Sequence, residues 1–295
     1  MPVGIGDDAA VLVPAPGRFL VTSTDTLLPG RHFLPDWPPA AIGHLALAVN
    51  LSDLAAMGAR PRWALLALTL SESDSGWLDA FLDGFLSLGA EHGVILVGGN
   101  LARGPLNIGV QVIGDVEPNA VPLRSAARIG DLIAVTGSLG DAAWAWRQGP
   151  DADPALLERW QRPAPRIQAG RILAPKVHAM MDISDGLLAD LSKLVAASGC
   201  SARIELQRLP ASQALLKSLE RDEERQRIQA EGGSDYELLV TLDRKQLELL
   251  RSDLAAAGQT LTVIGEIMAG DGIEILDENE QRVEMRIDGW DHFKS

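Results

Sequence analysis

An α/β fold in two mixed α/β domains is predicted by three features of this sequence. Short apolar runs alternate with helix-length segments of helical apolar spacing along the whole chain, a pattern that mixes strands and helices. The alternation is interrupted at Pro118 to Arg124, which reads as a linker or domain-crossing segment. A length of 295 residues with 46% hydrophobic side chains is ample for a packed core and suits two domains or one large one. The division expected is 1–118 and 119–295.

In the first part, residues 9–13 and 19–24 read as strands separated by Pro14-Ala-Pro-Gly17. A helix is expected over 39–58. Its apolar positions Ile42, Leu45, Ala46, Val49, Leu54 and Met57 mostly keep helical spacing, and Gly58 can end it. A buried strand at 62–70, a helix at 74–92 and strands at 93–98 and 106–116 complete this part. In the second, strands are expected at 131–136, 177–182, 202–206, 237–242, 261–267 and 273–276. The helices expected there are 141–148, 154–160, 165–173, 187–198, 210–229 and 244–257. No repeat of fixed period and no low-complexity segment is present.

A net charge of −14 argues against a nucleic-acid partner, because phosphate backbones need a basic face. The acid surplus suits a protein that gathers divalent cations, and an ordinary acidic surface explains it equally well. The single cysteine, Cys200, excludes an intramolecular disulfide and a thiolate metal cluster, and a reducing compartment is expected. No stretch reads as a membrane span and the first residues do not read as a signal peptide, so a cytoplasmic location is expected.

The aspartates carry the chemistry. Asp7 and Asp8 follow Gly4-Ile-Gly6. Asp25 ends the run Val21-Thr-Ser-Thr-Asp. Asp53 lies in Asn50-Leu-Ser-Asp-Leu, and Asp182 and Asp185 flank Ser184 in Met181-Asp-Ile-Ser-Asp-Gly186. Taken singly, most of these read as caps or turns. Asp53 does not, because it falls mid-helix among Leu51, Leu54 and Ala55, where Asp is unfavourable. Carboxylates in apolar contexts are costly unless paired or metal-bound, and several converging from distant segments suit Mg²⁺, which takes oxygen ligands and bridges to phosphates. The common nucleotide signatures, G-x-x-x-x-G-K-[ST] and G-x-G-x-x-G between strand and helix, are absent. Gly137-Ser-Leu-Gly140 is either a tight turn or a phosphate contact. The five histidines are scattered.

Several motifs, in order along essentially the whole chain, resemble the thiamine-monophosphate kinases. They are Gly4-Ile-Gly-Asp-Asp-Ala-Ala-Val11, Ser23-Thr-Asp-Thr-Leu27 with Gly30-Arg-His-Phe33, and Asn50-Leu-Ser-Asp-Leu-Ala-Ala-Met-Gly-Ala-Arg-Pro61. Gly98-Gly-Asn-Leu-Ala-Arg-Gly104, Val135-Thr-Gly-Ser-Leu-Gly-Asp141, Asp182-Ile-Ser-Asp-Gly186, Gly233-Ser-Asp-Tyr-Glu-Leu238 and Gly289-Trp-Asp-His-Phe293 follow. The resemblance implies the aminoimidazole ribonucleotide synthetase-like fold, with an N-terminal ATP- and metal-binding, dimerising domain and a C-terminal α/β domain. It implies direct transfer of the γ-phosphoryl of ATP to thiamine monophosphate, assisted by Mg²⁺, in a homodimer. Matched position by position, it implies metal ligation by Asp8, Ser23, Thr24, Asp25, Asp53, Asp182 and Asp185, with Asp25, Asp53 and Asp182 central to catalysis. Arg124 and Ser184 would contact ATP, with Gly99 near its phosphates, and His32 and Trp290 would contact the thiamine substrate.

Two positions depart from the family pattern, and a third difference lies ahead of the first motif. Asn100 stands where the family has a metal-binding aspartate, and keeps a carbonyl oxygen without the charge. Ser234 stands where the family has a glutamate facing the substrate. The family carries a helical segment before Gly-Ile-Gly-Asp-Asp, a motif that starts at residue 4 of this sequence. Two alternatives stay open at this point: a superfamily member with another phosphoryl acceptor, and a non-catalytic nucleotide-binding homologue.

Overall fold

A computed structural model describes residues 4–287. The first half is built on a four-stranded sheet of order β1-β4-β2-β3, comprising β1 (Phe19–Leu27), β2 (Arg60–Leu70), β3 (Ile95–Arg103) and β4 (Asn107–Val116). β4 pairs antiparallel with both β1 and β2, and β2 and β3 run parallel. A parallel pair needs a crossover, and helix α2 (Ser75–His92) supplies it. Asp74 caps α2 by accepting from Trp77 N–H at 3.1 Å, and Gly93 ends it in the left-handed region at φ 70°.

Helix α1 (Pro39–Ala56) is the central element. It packs on β1 and β4 of the first sheet and, in the second half, on α5 (Ile167–Leu173) and β6 (Ala179–Asp182). It is buried nearly all round, and it reaches the length and apolarity of a membrane span, contrary to the sequence expectation. The window has a mean hydropathy of 1.2, and 78% of it is buried within the protein, so α1 is a core helix. Glycines let its neighbours approach closely. A Cβ on Gly84 of α2 would overlap the main-chain oxygen of Ala40, and one on Gly170 of α5 would overlap that of Ala55.

The second half holds a six-stranded sheet of order β10-β7-β9-β5-β8-β6. Its strands are β5 (Leu132–Thr136), β6 (Ala179–Asp182), β7 (Ser201–Glu205), β8 (Leu238–Leu242), β9 (Leu261–Met268) and β10 (Gly272–Leu276). Around it lie α3 (Asp141–Gln148), α4 (Pro154–Gln161), α5 (Ile167–Leu173), α6 (Leu187–Ser198), α7 (Gln213–Ser218), α8 (Asp222–Glu231) and α9 (Leu247–Ala256). Both faces of this sheet are buried. Leu132 and Ala134 of β5 join a core continuous with the first half, and Ile133 and Val135 join a second core with Leu187, Leu191 and Ile264.

Two further expectations need correction. Residues 9–13 form no extended strand, with a single bridge position at Val11, and Val11 and Val13 are exposed; among the described residues β1, the neighbouring edge strand, is paired with β4. The helix expected over 210–229 is two helices, α7 and α8. Buried Leu219 leaves helical geometry at φ −138°, and Asp222, Glu223 and Glu224 start a new helix whose positive end they complement.

Gly84→Val should destabilise the protein by about 1–3 kcal/mol, because the α1–α2 approach has no room for a side chain. Chemical denaturation checks it.

Candidate active site

Strand alternation sets the first contacts. Ser23 and Asp25 of β1 point toward α1, while Thr24 points to the open face of the sheet. Ser23 Oγ donates to Asp53 Oδ2 at 2.5 Å. The Asp25 N–H donates to Asn50 Oδ1 at 3.1 Å, and Asn50 Nδ2 donates to Ala46 O at 3.0 Å. Ser52, the neighbour of Asp53, reaches across to the other half, where its Oγ donates to Oδ2 of Asp182 at 2.7 Å. Asp182 is the last residue of β6, so α1 brings one carboxylate to the seam and hydrogen-bonds the second.

The two carboxylates disturb one another. Burial pushes the Asp53 carboxyl up, against the Ser23 hydrogen bond and the Arg124 charge. Asp182 is pushed up to about 7, first by burial and then by the charge of Asp53, with Ser52 opposing. The Tyr236 phenol is raised by burial and by the carboxylates of Asp25, Asp182 and Asp185. These groups therefore share one electrostatic neighbourhood, and Arg124 faces it.

After β6 the chain turns into α6. The Ser184 and Asp185 N–H groups donate to Asp190 Oδ2 at 2.9 and 3.0 Å. Lys193 Nζ bridges Asp185 Oδ2 at 2.5 Å and Asp190 Oδ1 at 2.7 Å. Opposite, the Ser234 N–H donates to Ser184 O at 2.8 Å and the Tyr236 N–H to Ile183 O at 2.9 Å. Ser234 and Tyr236 take left-handed backbone angles, φ 67° and 51°. Such strain persists only where the surroundings enforce it.

Buried ionic anchors supply that enforcement. Glu237 is fully buried and accepts from Thr136 Oγ1 at 2.7 Å, Arg159 Nη2 at 2.8 Å and Arg166 Nε at 2.6 Å. Burial alone would raise its carboxyl; the Arg166 bonds, the two arginine charges and Thr136 hold it below the ordinary value of 4.5. Asp235 accepts from the Gly140 N–H at 2.9 Å, tying the Ser234–Tyr236 segment to the Gly137–Gly140 turn.

A cleft of about 430 Å³ opens over these groups. Asp25, His32, Asp53, Asp182, Ser184, Asp185 and Ser234 line it, beside Arg31, Trp146, Tyr236 and Arg286. Asp8, Gly99 and Asn100 are exposed and do not line it; Gly99 and Asn100 lie on β3, the far edge of the first sheet. The Thr24 hydroxyl donates to Val110 O at 2.9 Å on the open face, so a contribution from Thr24 to the cleft would come from its main chain. Trp290 lies outside the described residues.

The donor set fits Mg²⁺. Buried carboxylates that repel each other at the cleft call for a cation, and oxygen donors suit a hard one. Among the described residues, no three of His, Cys, Asp or Glu are gathered closely enough to hold an ion alone. An ion here would complete its shell with phosphate oxygens and water.

Family models for AIR synthase related protein match residues 6–116 (N-terminal domain) and 128–278 (C-terminal domain). Thiamine-monophosphate kinase of Escherichia coli K12 is 42% identical, over 99% of this chain and 92% of its own length. This chain belongs to the thiamine-monophosphate kinase family. The family member from Haemophilus influenzae is 38% identical over 99% of this chain and 92% of its own. The crystal structure of the Stenotrophomonas maltophilia K279a family member superposes with a TM-score of 0.88 at 42% identity, covering 92% of this chain and 90% of that one. A structure described as AaThiL complexed with AMPPCP and TMP gives 0.83 at 32% identity, covering 98% and 92%. Hydrogenase maturation protein HypE, at 20% identity and a TM-score of 0.78 over 98% of this chain and 94% of its own, shares the fold.

Within this family fold, sequence reasoning missed Asn50, Ser52, Asp190, Tyr236, Glu237 and the two arginines on Glu237. Glu237 stood within a quoted motif, and its charge next to an apolar strand was the available signal; nothing near Arg159 or Arg166 pointed to it. Glu237→Gln should cost about 3 kcal/mol or more, by leaving Arg166 without its counter-charge and Arg159 with Asp141 alone at 3.5 Å. A carboxyl held below 4.5 contributes stability that is complete above that pH and is lost as pH falls through its folded value. Denaturation between pH 3 and 7, taken as about the span of ordinary carboxylate titration, should therefore show a shallower acid loss in the variant.

Proposed function

We propose that this chain transfers the γ-phosphoryl group of ATP directly to the phosphate of thiamine monophosphate, giving thiamine diphosphate and ADP. The observation that carries the reading is the pair Asp53 and Asp182, brought from the two halves to one cleft and each raised by burial. The names of the relatives, and the AMPPCP and TMP bound together in one solved family structure, support it. An acceptor oxygen of the substrate phosphate attacks the γ-phosphorus while the bond to the ADP oxygen breaks. That acceptor is already largely ionised at neutral pH, so no strong general base is required. Catalysis is then positioning and charge stabilisation, with no covalent intermediate.

In this reading Asp25, Asp53 and Asp182 hold Mg²⁺ at the centre, and Asp185 a further ion. Bound Mg²⁺ neutralises phosphate charge and aligns donor with acceptor. Asp53 and Asp182 are presented by Ser23 and Ser52. Arg124 and Ser184 contact ATP, and His32, Ser234 and Trp290 contact the thiamine substrate. By match to the family, Ser23 and Thr24 would be further ion ligands; Asp8 and Asn100, matched to ion ligands too, and Gly99, matched to a phosphate contact, lie outside the cleft. A homodimer joined through the open face of the first sheet is part of the reading. Leu20, exposed and on the same face of β1 as Thr24, supports it. Domains at 1–118 and 119–295 are supported by the two separate sheets and the bounds of the family models. A cytoplasmic location, with neither nucleic acid nor membrane as partner, completes it.

Asp53→Asn should reduce turnover by at least about 100-fold while leaving the melting temperature at or above the parent's, as expected where one group stabilises transition-state charge and opposes folding. The assay follows ADP release and thiamine diphosphate together, with saturating Mg²⁺. Normal turnover by the variant would remove Asp53 from the ion site.

A further inference from the structure

The cleft has a polarity that phosphate chemistry does not use. Leu45, Val49 and Asp53 line it from successive turns of α1, so the cleft runs from apolar to acidic over about 12 Å of helix between Leu45 and Asp53. Near the start of α1 three indoles run into the cleft. Trp37, two residues ahead of the helix, meets Trp160 at 4.6 Å between ring centroids and 81° between planes. Trp160 in turn meets Trp146 at 5.2 Å and 74°. The first two rings are buried, at 6% and 4% exposure, whereas Trp146 keeps 40% and lines the cleft.

That arrangement leaves a ring available. A perpendicular contact uses the edge of one ring and a face of the other, so at least one face of Trp146 is free of Trp160. Trp160, itself wedged against Trp37, backs the ring. Carboxylates outnumber arginines among the described side chains lining the cleft, so its field favours a positive charge. An indole face is the strongest aromatic partner for a cation.

We propose that Trp146 is a specificity-determining residue whose ring stacks on the cationic heteroaromatic ring of the acceptor, selecting a phosphate ester that carries a delocalised positive charge. This rests on the thiamine monophosphate reading, whose thiazolium ring has that chemistry, and adds to it a residue of this chain. The phosphate lies toward Asp53 and Asp182, and the ring lies toward the indoles.

Calorimetric titration tests it on the full chain, with Trp146→Phe, Trp146→Leu and Trp146→Ala. The ligands are thiamine monophosphate, its neutral isostere with carbon in place of the thiazolium nitrogen, and Mg²⁺–AMPPCP. Trp146→Ala should raise the Kd for thiamine monophosphate about 3- to 30-fold and leave that for Mg²⁺–AMPPCP unchanged. Phe should retain more affinity than Leu, and the neutral isostere should lose less than the cation. An unchanged Kd for thiamine monophosphate, Leu performing as well as Phe, or equal losses for cation and isostere would each overturn the assignment. Equal losses for both substrates with a lowered melting temperature would make Trp146 a packing residue and overturn it too. A parent chain that neither binds nor phosphorylates thiamine monophosphate overturns the function together with this assignment. An active parent with an indifferent Trp146→Ala variant overturns Trp146 alone.

Discussion

The meeting of Asp53 and Asp182 at the seam is the constraint on which the rest of the structure depends. Burying two carboxylates within reach of each other opposes folding, and their raised pKa values record that cost. Hydrogen bonds from Ser23 and Ser52 offset part of it. The remainder is carried by packing. α1 is held by the first sheet on one side and by α5 and β6 on the other, with Gly170 seated on the Ala55 main chain. Under the proposed function, a seam assembled this closely would fix where a cation and its phosphates sit, and site preorganisation of this kind is what phosphoryl transfer requires.

The second device lies beneath the other wall of the cleft. Ser234 and Tyr236 hold backbone angles that cost about 1–3 kcal/mol each when a side chain is present. Asp235 and Glu237, which alternate with them, are buried on Gly140, Thr136, Arg159 and Arg166. The ionic anchors face inward and the strained residues face the cleft. Arg159 comes from α4 and Arg166 immediately precedes α5, so the strain is held by elements that also pack against α1.

Much of this was legible in the sequence where the signal is local. Helical apolar spacing located α1 and α2, and the apolar runs located β2, β4 and β8, because burial of one face writes a period into neighbouring residues. Asp53 announced itself as an aspartate among the apolar residues of a helix, although α1 ends at Ala56 and so places it in the last turn rather than mid-helix. The misses are non-local. Residues 9–13 have a strand's composition, but a strand needs a partner, and composition does not say whether one is beside it. The clamp on Glu237 joins residues 101 and 71 positions apart, so no window of sequence contains it. Thr24 could be placed on the open face only once β1 was known to turn Ser23 and Asp25 toward α1.

The central claim is that Asp53 and Asp182 oppose stability for the sake of ion and nucleotide binding, and melting temperatures with and without ligand test it most directly. Without ligand, Asp182→Asn should melt above the parent, because it removes one of two repelling buried charges and keeps an oxygen to accept from Ser52. The rise in melting temperature given to the parent by Mg²⁺–AMPPCP should be largely lost in the variant. A variant that melts below the parent without ligand, yet keeps the full rise with it, would contradict the account.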